Sequence, residues 1–255
     1  MNVFKQLWVS LYSPKDIASF RNQGIGKTIL YVFVLSLIFF LPSAFYLGTM
    51  ITNGINALED TLSGDLPDFE IKNGTLTTDT NEPFVVKKNG YQIFLDGTGS
   101  LTPKDISAKS DEAVALLKSE LVFVSNGNAQ TSPYSLLEGN NEDLFKWINS
   151  VASVLPIIMP LLLLTLYLFT TAGSFLKVTI LAAFGIIFRS TSGRSISYRH
   201  LWRIAAYSIT LSTIFFTIME AFQAAVPFAS FISWFVSLII LHLSIKESAH
   251  TLDKI

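Results

Sequence analysis

WINSVASVLPIIMPLLLLTLYLFTTAGSFL, residues 147–176, holds no charged side chain, and after Lys177 the apolar character resumes as VTILAAFGIIF, residues 178–188. How often these 42 residues cross a bilayer decides the fold. One crossing takes about 20 apolar residues to span ~30 Å of hydrocarbon. Three crossings would leave too few residues each. Two would put the arginine-rich loop that follows on the same side as the acidic region that precedes. One crossing is therefore expected. A straight helix of this length would reach roughly 63 Å, so a break or bend is expected near Gly173–Ser174, with the remainder lying along the inner interface or packing re-entrantly against the bundle.

Toward the amino terminus there is no charge from Thr28 to Leu58, and ILYVFVLSLIFFLPSAFYLGTMI, residues 29–51, is long enough for a first span over 28–52. It follows a fairly polar stretch and has no A-x-A-like exit, so it reads as a retained anchor, with Pro42 as a bend. Toward the carboxyl terminus, Ile204–Ala225 and Phe228–Ile245 form an antiparallel hairpin turning near Pro227, the 204–245 segment. Half of the 255 residues are apolar and only 15% charged, against about a quarter in soluble chains. The expected architecture is an α-helical bundle of four transmembrane helices, with an inserted small α+β extracytoplasmic domain and an N-terminal amphipathic helix.

Charge sets the sides. Residues 1–27 carry Lys5, Lys15, Arg21 and Lys27 against Asp16, and the 189–203 loop carries Arg189, Arg194, Arg199 and Arg203 against no acid. Both are expected in the cytoplasm, as is the 246–255 tail. Residues 53–146 hold fifteen Asp or Glu, seven Lys and no Arg, a net −8, and are expected outside.

Val3, Phe4, Leu7, Trp8, Leu11 and Tyr12 recur at helical spacing with Lys5, Gln6 and Ser10 between them, which predicts an amphipathic helix. Ser13-Pro14-Lys15-Asp16 then starts a second helix that brings Ile17 and Phe20 to the same face. The spacing supports two readings equally: a surface element docking on lipid or a partner, and packing against the protein's own helix ends. In the middle region, Phe69–Lys72, Pro83–Lys88, Tyr91–Leu95 and Leu121–Ser125 read as strands. Asn89-Gly90 predicts a type I′ hairpin, and Asn73-Gly74 and Asn126-Gly127 further turns. Thr102-Pro103-Lys104-Asp105 and Ser110-Asp111-Glu112 read as helix starts, the second leading into a helix over Ala113–Glu120. A domain of this size without disulfides is expected to lean on the membrane helices, on itself or on a second copy.

The absence of cysteine excludes disulfides, thiolate metal sites and thiol nucleophiles, and three histidines leave little for metal chemistry; no cofactor is expected. Glu220 is the acidic residue within a predicted span, and an ionisable group there is a functional-site hypothesis, with Gln223 as its neighbour. Roughly 24 Å along its helix, it also fits a hydrated interfacial position. Lys177 reads as snorkelling to inner headgroups. Arg189, Arg194, Arg199, His200 and Arg203 read as contacts to anionic lipid rather than to nucleic acid, for want of aromatic stacking platforms. A Ser174–His242 pair lacks a nucleophile elbow and an orienting carboxylate. Asp96-Gly97-Thr98-Gly99 departs from both the D-x-D-G-T phosphatase and the D-T-G protease patterns and reads as a tight turn.

FKQLWVSLYSPKDIASFR (residues 4–21), LPDFEIKNGTLT (66–77), IFLDGTG (93–99) and SISYRHLWRIAAYSIT (195–210) resemble an uncharacterised Gram-positive membrane-protein family, the domain of unknown function numbered eleven eighty-nine. The resemblance implies a bacterial plasma-membrane location. Some members of the family are labelled maltodextrin-utilisation proteins, implying a carbohydrate-uptake context, and the family is distantly similar to Yip1-type multispanning proteins. The expected function is non-enzymatic: an outward domain that senses or docks an envelope glycan, a maltodextrin or another membrane protein such as a transporter, with a homo-oligomer among the arrangements open to it. The alternative is a small transporter or channel subunit using Glu220 in the membrane.

Overall fold

The protein, described by a computed structural model over residues 1–64, 66–191 and 196–250, divides into two units: Met1–Tyr46 with Leu161–Ile255, and Leu47–Pro160. Helices α3 (Ile25–Leu62) and α5 (Asn141–Thr191) each contribute a portion to both. Among the described residues, four helical segments are long and apolar enough to cross a membrane: Ile25–Leu62, Asn141–Arg189, Tyr198–Ala221 and Ala229–Ser248.

The first unit begins with α1 (Val3–Ser10), whose first turn is capped by Asn2, and α2 (Pro14–Ser19), capped by Ser13 with Pro14 at its first position. The buried face of α1 differs from the expected one. Gln6 and Ser10 are buried, with Val3 and Leu7 packing beside them, while Phe4, Trp8 and Tyr12 are 72%, 66% and 65% exposed. Burial of Gln6 is compensated on both ends of its amide. Its Nε2 donates to Gln23 Oε1 at 2.7 Å, and its Oε1 accepts from Tyr207 Oη at 3.1 Å.

The third expected span is two helices, α6 (Tyr198–Ser208) and α7 (Thr210–Ala221), meeting at Ile209. Tyr31 of α3 shares a 2.5 Å hydrogen bond with Thr210 at this junction. Helix α8 (Ala229–His250) returns alongside them. The core joins Ile17 and Phe20 to Leu35, Leu181, Ile204, Leu241 and Ile245.

The break expected near Gly173–Ser174 is absent: α5 is one helix of 51 residues, with Pro156 and Pro160 accommodated inside it. Its excess length is taken up at the other end, where residues up to Pro160 belong to the second unit. Likewise α3 continues past the expected end at residue 52 to Leu62.

The second unit contains two sheets. One orders its strands β2 (Thr75–Thr78), β1 (Phe69–Lys72) and β8 (Gly139–Asn140). The other runs β3 (Phe84–Lys88), β4 (Tyr91–Asp96), β5 (Ala113–Leu117), β6 (Glu120–Ser125) and β7 (Asn128–Pro133). All pairs are antiparallel except β4 with β5, which are parallel and connected through α4 (Pro103–Lys109). The Asn-Gly pairs at 73–74, 89–90 and 126–127 all take positive φ at both residues, the type I′ geometry expected of them. Thr102 and Asp105 cap α4 reciprocally.

Strand β5 corrects the helix expected over Ala113–Glu120. AVALL is a short apolar run whose periodicity does not separate strand from helix. Every residue of it is buried because the sheet is covered on both faces at this strand. Val114 and Leu116 pack with Ala57 and Leu62 of α3 and Ile148 of α5, whereas Ala113, Ala115 and Leu117 pack with Ile106 of α4. The unit thus completes its core with helix ends.

The Asp96–Gly99 segment is the tight turn expected. Asp96 is fully buried and accepts from Thr98 N, Thr98 Oγ1 and Gly99 N on one oxygen, and from Leu101 N and Ser100 Oγ on the other. Burial by itself would raise its pKa, but these hydrogen bonds, led by that from the Thr98 side chain, outweigh it and hold the carboxyl below the ordinary value. Gly97 is required by contact: a Cβ there would lie 2.7 Å from Thr78 Cγ2.

Candidate functional site

Three stripes of small, polar and aromatic residues face one another in the first unit. On α5 the stripe is Thr170, Gly173, Ser174 and Lys177, spaced i, i+3, i+4, i+7; on α7, Thr213, Phe216 and Glu220; on α8, Ala229, Ser230, Ser233 and Trp234. Together with Phe39 of α3 they line a cavity of 620 Å³ at the end of the unit where α7 turns into α8.

Lys177 is the cavity's cation. Its Nζ donates to Ser233 Oγ at 2.7 Å and to Ser233 O at 3.4 Å, and lies 5.7 Å from the centre of the Trp234 ring. Ser233 belongs to the first turns of α8, and two residues beyond Lys177 the Thr179 hydroxyl accepts from Trp202 Nε1 of α6 at 3.2 Å. Glu220 lines the same cavity and accepts a 3.2 Å hydrogen bond from Ser43 Oγ. The polar stripes were legible as small and hydroxyl residues at helical spacing inside apolar helices; which of them converge was not.

Gln223 does not line this cavity. It ends α7 in a Schellman arrangement, in which Ala224 N donates to Met219 O and Gln223 N to Glu220 O, both at 2.9 Å. Gln223 occupies the left-handed position with φ 52° and its side chain is exposed. Gln223→Gly is therefore expected to raise stability by up to about 1 kcal/mol, since glycine takes this conformation without a Cβ penalty. A detergent-solubilised thermal melt checks it; an unchanged or lower midpoint contradicts the capping role.

At the other end, two of the residues expected to meet lipid phosphate, Arg189 and Arg203, bond to the chain itself, as does Arg21. Arg203 Nη1 donates to Arg21 O at 2.7 Å, Arg21 donates to the Ser248 carbonyl at 2.8 Å and to its hydroxyl, and Arg189 donates to Ile196 O at 2.5 Å. These bonds clamp the segment after α2 onto α6 and α8. Arg199 is exposed and His200 half-buried; Arg194 lies outside the described residues. Ser174 and His242 are not brought together. Ser174 donates to Thr170 O in the cavity wall, while His242 packs edge-on against Phe188 at 5.1 Å, roughly 21 Å further along α5 at 1.5 Å per residue.

The second unit carries a separate apolar groove of 220 Å³, lined by Met50, Ile51, Gly54 and Leu58 of α3 and by Tyr91, Val114, Phe123 and Val124 of the sheet. Tyr91 Oη donates to Met50 O at 2.9 Å at its edge. Burial, with the nearby Glu112 carboxylate, pushes the Tyr91 phenol up to about 12.

A family model described as "Protein of unknown function (DUF1189)" matches residues 4–245. The chain belongs to DUF1189. The match takes in α1, both units and most of α8, so the cavity and the groove are both inside the family's domain. No curated protein and no solved structure matches this DUF1189 chain.

Proposed function

We propose that this DUF1189 protein is a non-enzymatic, multi-pass plasma-membrane protein whose acidic second unit lies outside the cell and docks another membrane protein. The crossings are supported by four long apolar helices and by the lipid-compatible surface of α5, where Leu161 and Phe169 are 63% and 72% exposed. The Lys and Arg of the amino-terminal segment and of the arginine loop support a cytoplasmic side for both termini. On this reading Phe4, Trp8 and Tyr12, at i, i+4 and i+8 of α1 and its end, lie in the inner membrane interface, where aromatic rings are favoured.

The observation that carries the docking reading is the groove of the second unit. Its lining of methionine, leucine, isoleucine, valine and aromatic side chains suits apolar side chains of a protein partner, such as a transporter. An envelope glycan or maltodextrin, rich in hydroxyls, needs more hydrogen-bonding groups than the groove supplies. A role beside carbohydrate uptake would accordingly run through the transporter rather than the sugar.

The chain has no cysteine, which makes the test direct. Single-cysteine variants Phe123→Cys and Arg199→Cys are treated in intact cells with a membrane-impermeant maleimide. Labelling is expected at 123 and absent at 199 until the cells are opened; the reverse pattern refutes the topology. A photo-crosslinker attached to the thiol of the Phe123→Cys variant is expected to capture one membrane protein in native membranes, and loss of that product with Ile51→Asp, a half-buried groove residue, assigns it to the groove. The cavity of the first unit favours a second reading, a small transporter or channel subunit, for which Glu220→Gln is expected to abolish flux in proteoliposomes.

A further inference from the structure

We propose that the cavity of the first unit binds a zwitterion, with the anionic group at Lys177, the ammonium group at Glu220 and its apolar part against Phe39, Phe216 and Trp234. The proposal rests on the membrane reading only for where the ligand comes from; the site itself is a property of one unit.

Two opposite charges on two different helices open into one space without neutralising each other. No carboxylate of the described residues stands within 4 Å of Lys177 Nζ, whose protein acceptors are the two oxygens of Ser233. An ammonium has three donors, so at least one N–H is left for a ligand. Glu220 has one oxygen engaged by Ser43 and the other available. A ligand that is only anionic meets repulsion from Glu220, and one that is only cationic meets it from Lys177; a molecule carrying both charges satisfies each wall. Lys177 is half-buried among apolar helices, which strengthens its contact relative to water, whereas Glu220 stands exposed at the rim.

The space is of the right size and is held open by small residues. At 620 Å³ it falls within the range of about 300–1,000 Å³ typical of small-molecule sites. A Cβ added at Gly173 would meet nothing within 4 Å, so that wall faces open volume and not a neighbouring helix. Trp234 and the two phenylalanines supply a surface for a hydrocarbon portion.

Zwitterions of this kind come from a lipid headgroup, such as an aminophospholipid, or from a free small molecule. Native mass spectrometry of the purified full chain in detergent, titrated with phosphatidylethanolamine and with phosphatidylglycerol, tests the site. Wild type is expected to retain the ethanolamine lipid in clear preference to the glycerol lipid. Lys177→Met and Gly173→Leu are each expected to weaken retention about tenfold or more, and Glu220→Gln to erase the preference by removing the ammonium partner while Lys177 still holds phosphate. Lys177→Arg is expected to keep binding. Soluble glycerophosphoethanolamine, titrated by calorimetry, then separates the sources: binding by the headgroup alone identifies a free zwitterion, and binding only with acyl chains identifies a lipid. Equal retention of both lipids by wild type, or undiminished retention by Glu220→Gln and Gly173→Leu, overturns the proposal. Release of the chain from membranes by alkaline carbonate would instead refute the crossings and leave the calorimetric titration to decide the site.

Discussion

Replacing Asp96 with alanine is expected to destabilise the second unit by about 3–4 kcal/mol, the consequence of stranding buried donors that now point at a carboxylate. Five hydrogen bonds converge on this fully buried side chain at the end of β4, where the chain leaves the sheet for α4. Its loss frees the Gly97–Leu101 turn and with it the parallel crossover that sets β5 beside β4. Asp96→Asn is the milder test, because an amide keeps one acceptor oxygen. The pH dependence follows from the same contacts. The folded carboxyl titrates below its ordinary value of 3.8, so the unfolded chain binds the proton first. The stabilisation is present in full above that value and is lost as pH falls through the folded pKa. Hydrogen exchange of β4 and β5 amides, followed from pH 7 into the acid range, checks both statements. Equal protection in Asp96→Ala and wild type at neutral pH would contradict the first; stability that rises on acidification would contradict the second.

Tyr207→Ala is expected to cost a further large amount, about 3–5 kcal/mol, in the first unit. The ring is fully buried, 4.7 Å from Phe20 and 4.2 Å from Tyr31 between centroids, and its hydroxyl donates to Gln6. Truncation opens a cavity at the meeting point of α1, α3 and α6 and leaves a buried amide oxygen without its donor. Tyr207→Phe keeps the ring and loses only the hydrogen bond, for which about 1 kcal/mol is expected. Unfolding in a detergent titration series, with limited proteolysis of residues 1–22 as a second readout, distinguishes them. Alanine is expected to expose the amino-terminal segment to cleavage; phenylalanine is not. If the two variants unfold alike, the aromatic packing does not hold α1 in place.

These two sites show where local sequence information is sufficient. Asp96 and its glycine-rich turn are legible because every partner lies within five residues. The three Asn-Gly turns and the Thr102 cap are legible for the same reason. Gln6 is the opposite case. Helical spacing assigns it to the polar face of α1, yet its partners are Gln23 and Tyr207, 17 and 201 positions away. A polar residue is buried when distant groups complete its hydrogen bonds, and no local pattern announces them.

From sequence alone follow the four apolar helices, the opposed charges of the segments that flank them, and the strands of the second unit that carry turn signals at their ends. These depend on composition and on periods of two and 3.6 residues, which neighbours in the chain determine. Tertiary structure decided that α5 runs unbroken, that AVALL pairs as a central strand, that α1 turns its aromatic side outward, and that Lys177 meets Ser233 of α8. Each is an outcome of which surfaces cover one another: the second unit absorbs the length of α5, two covered faces make β5 a strand, and the stripes of three helices become a site only where they converge.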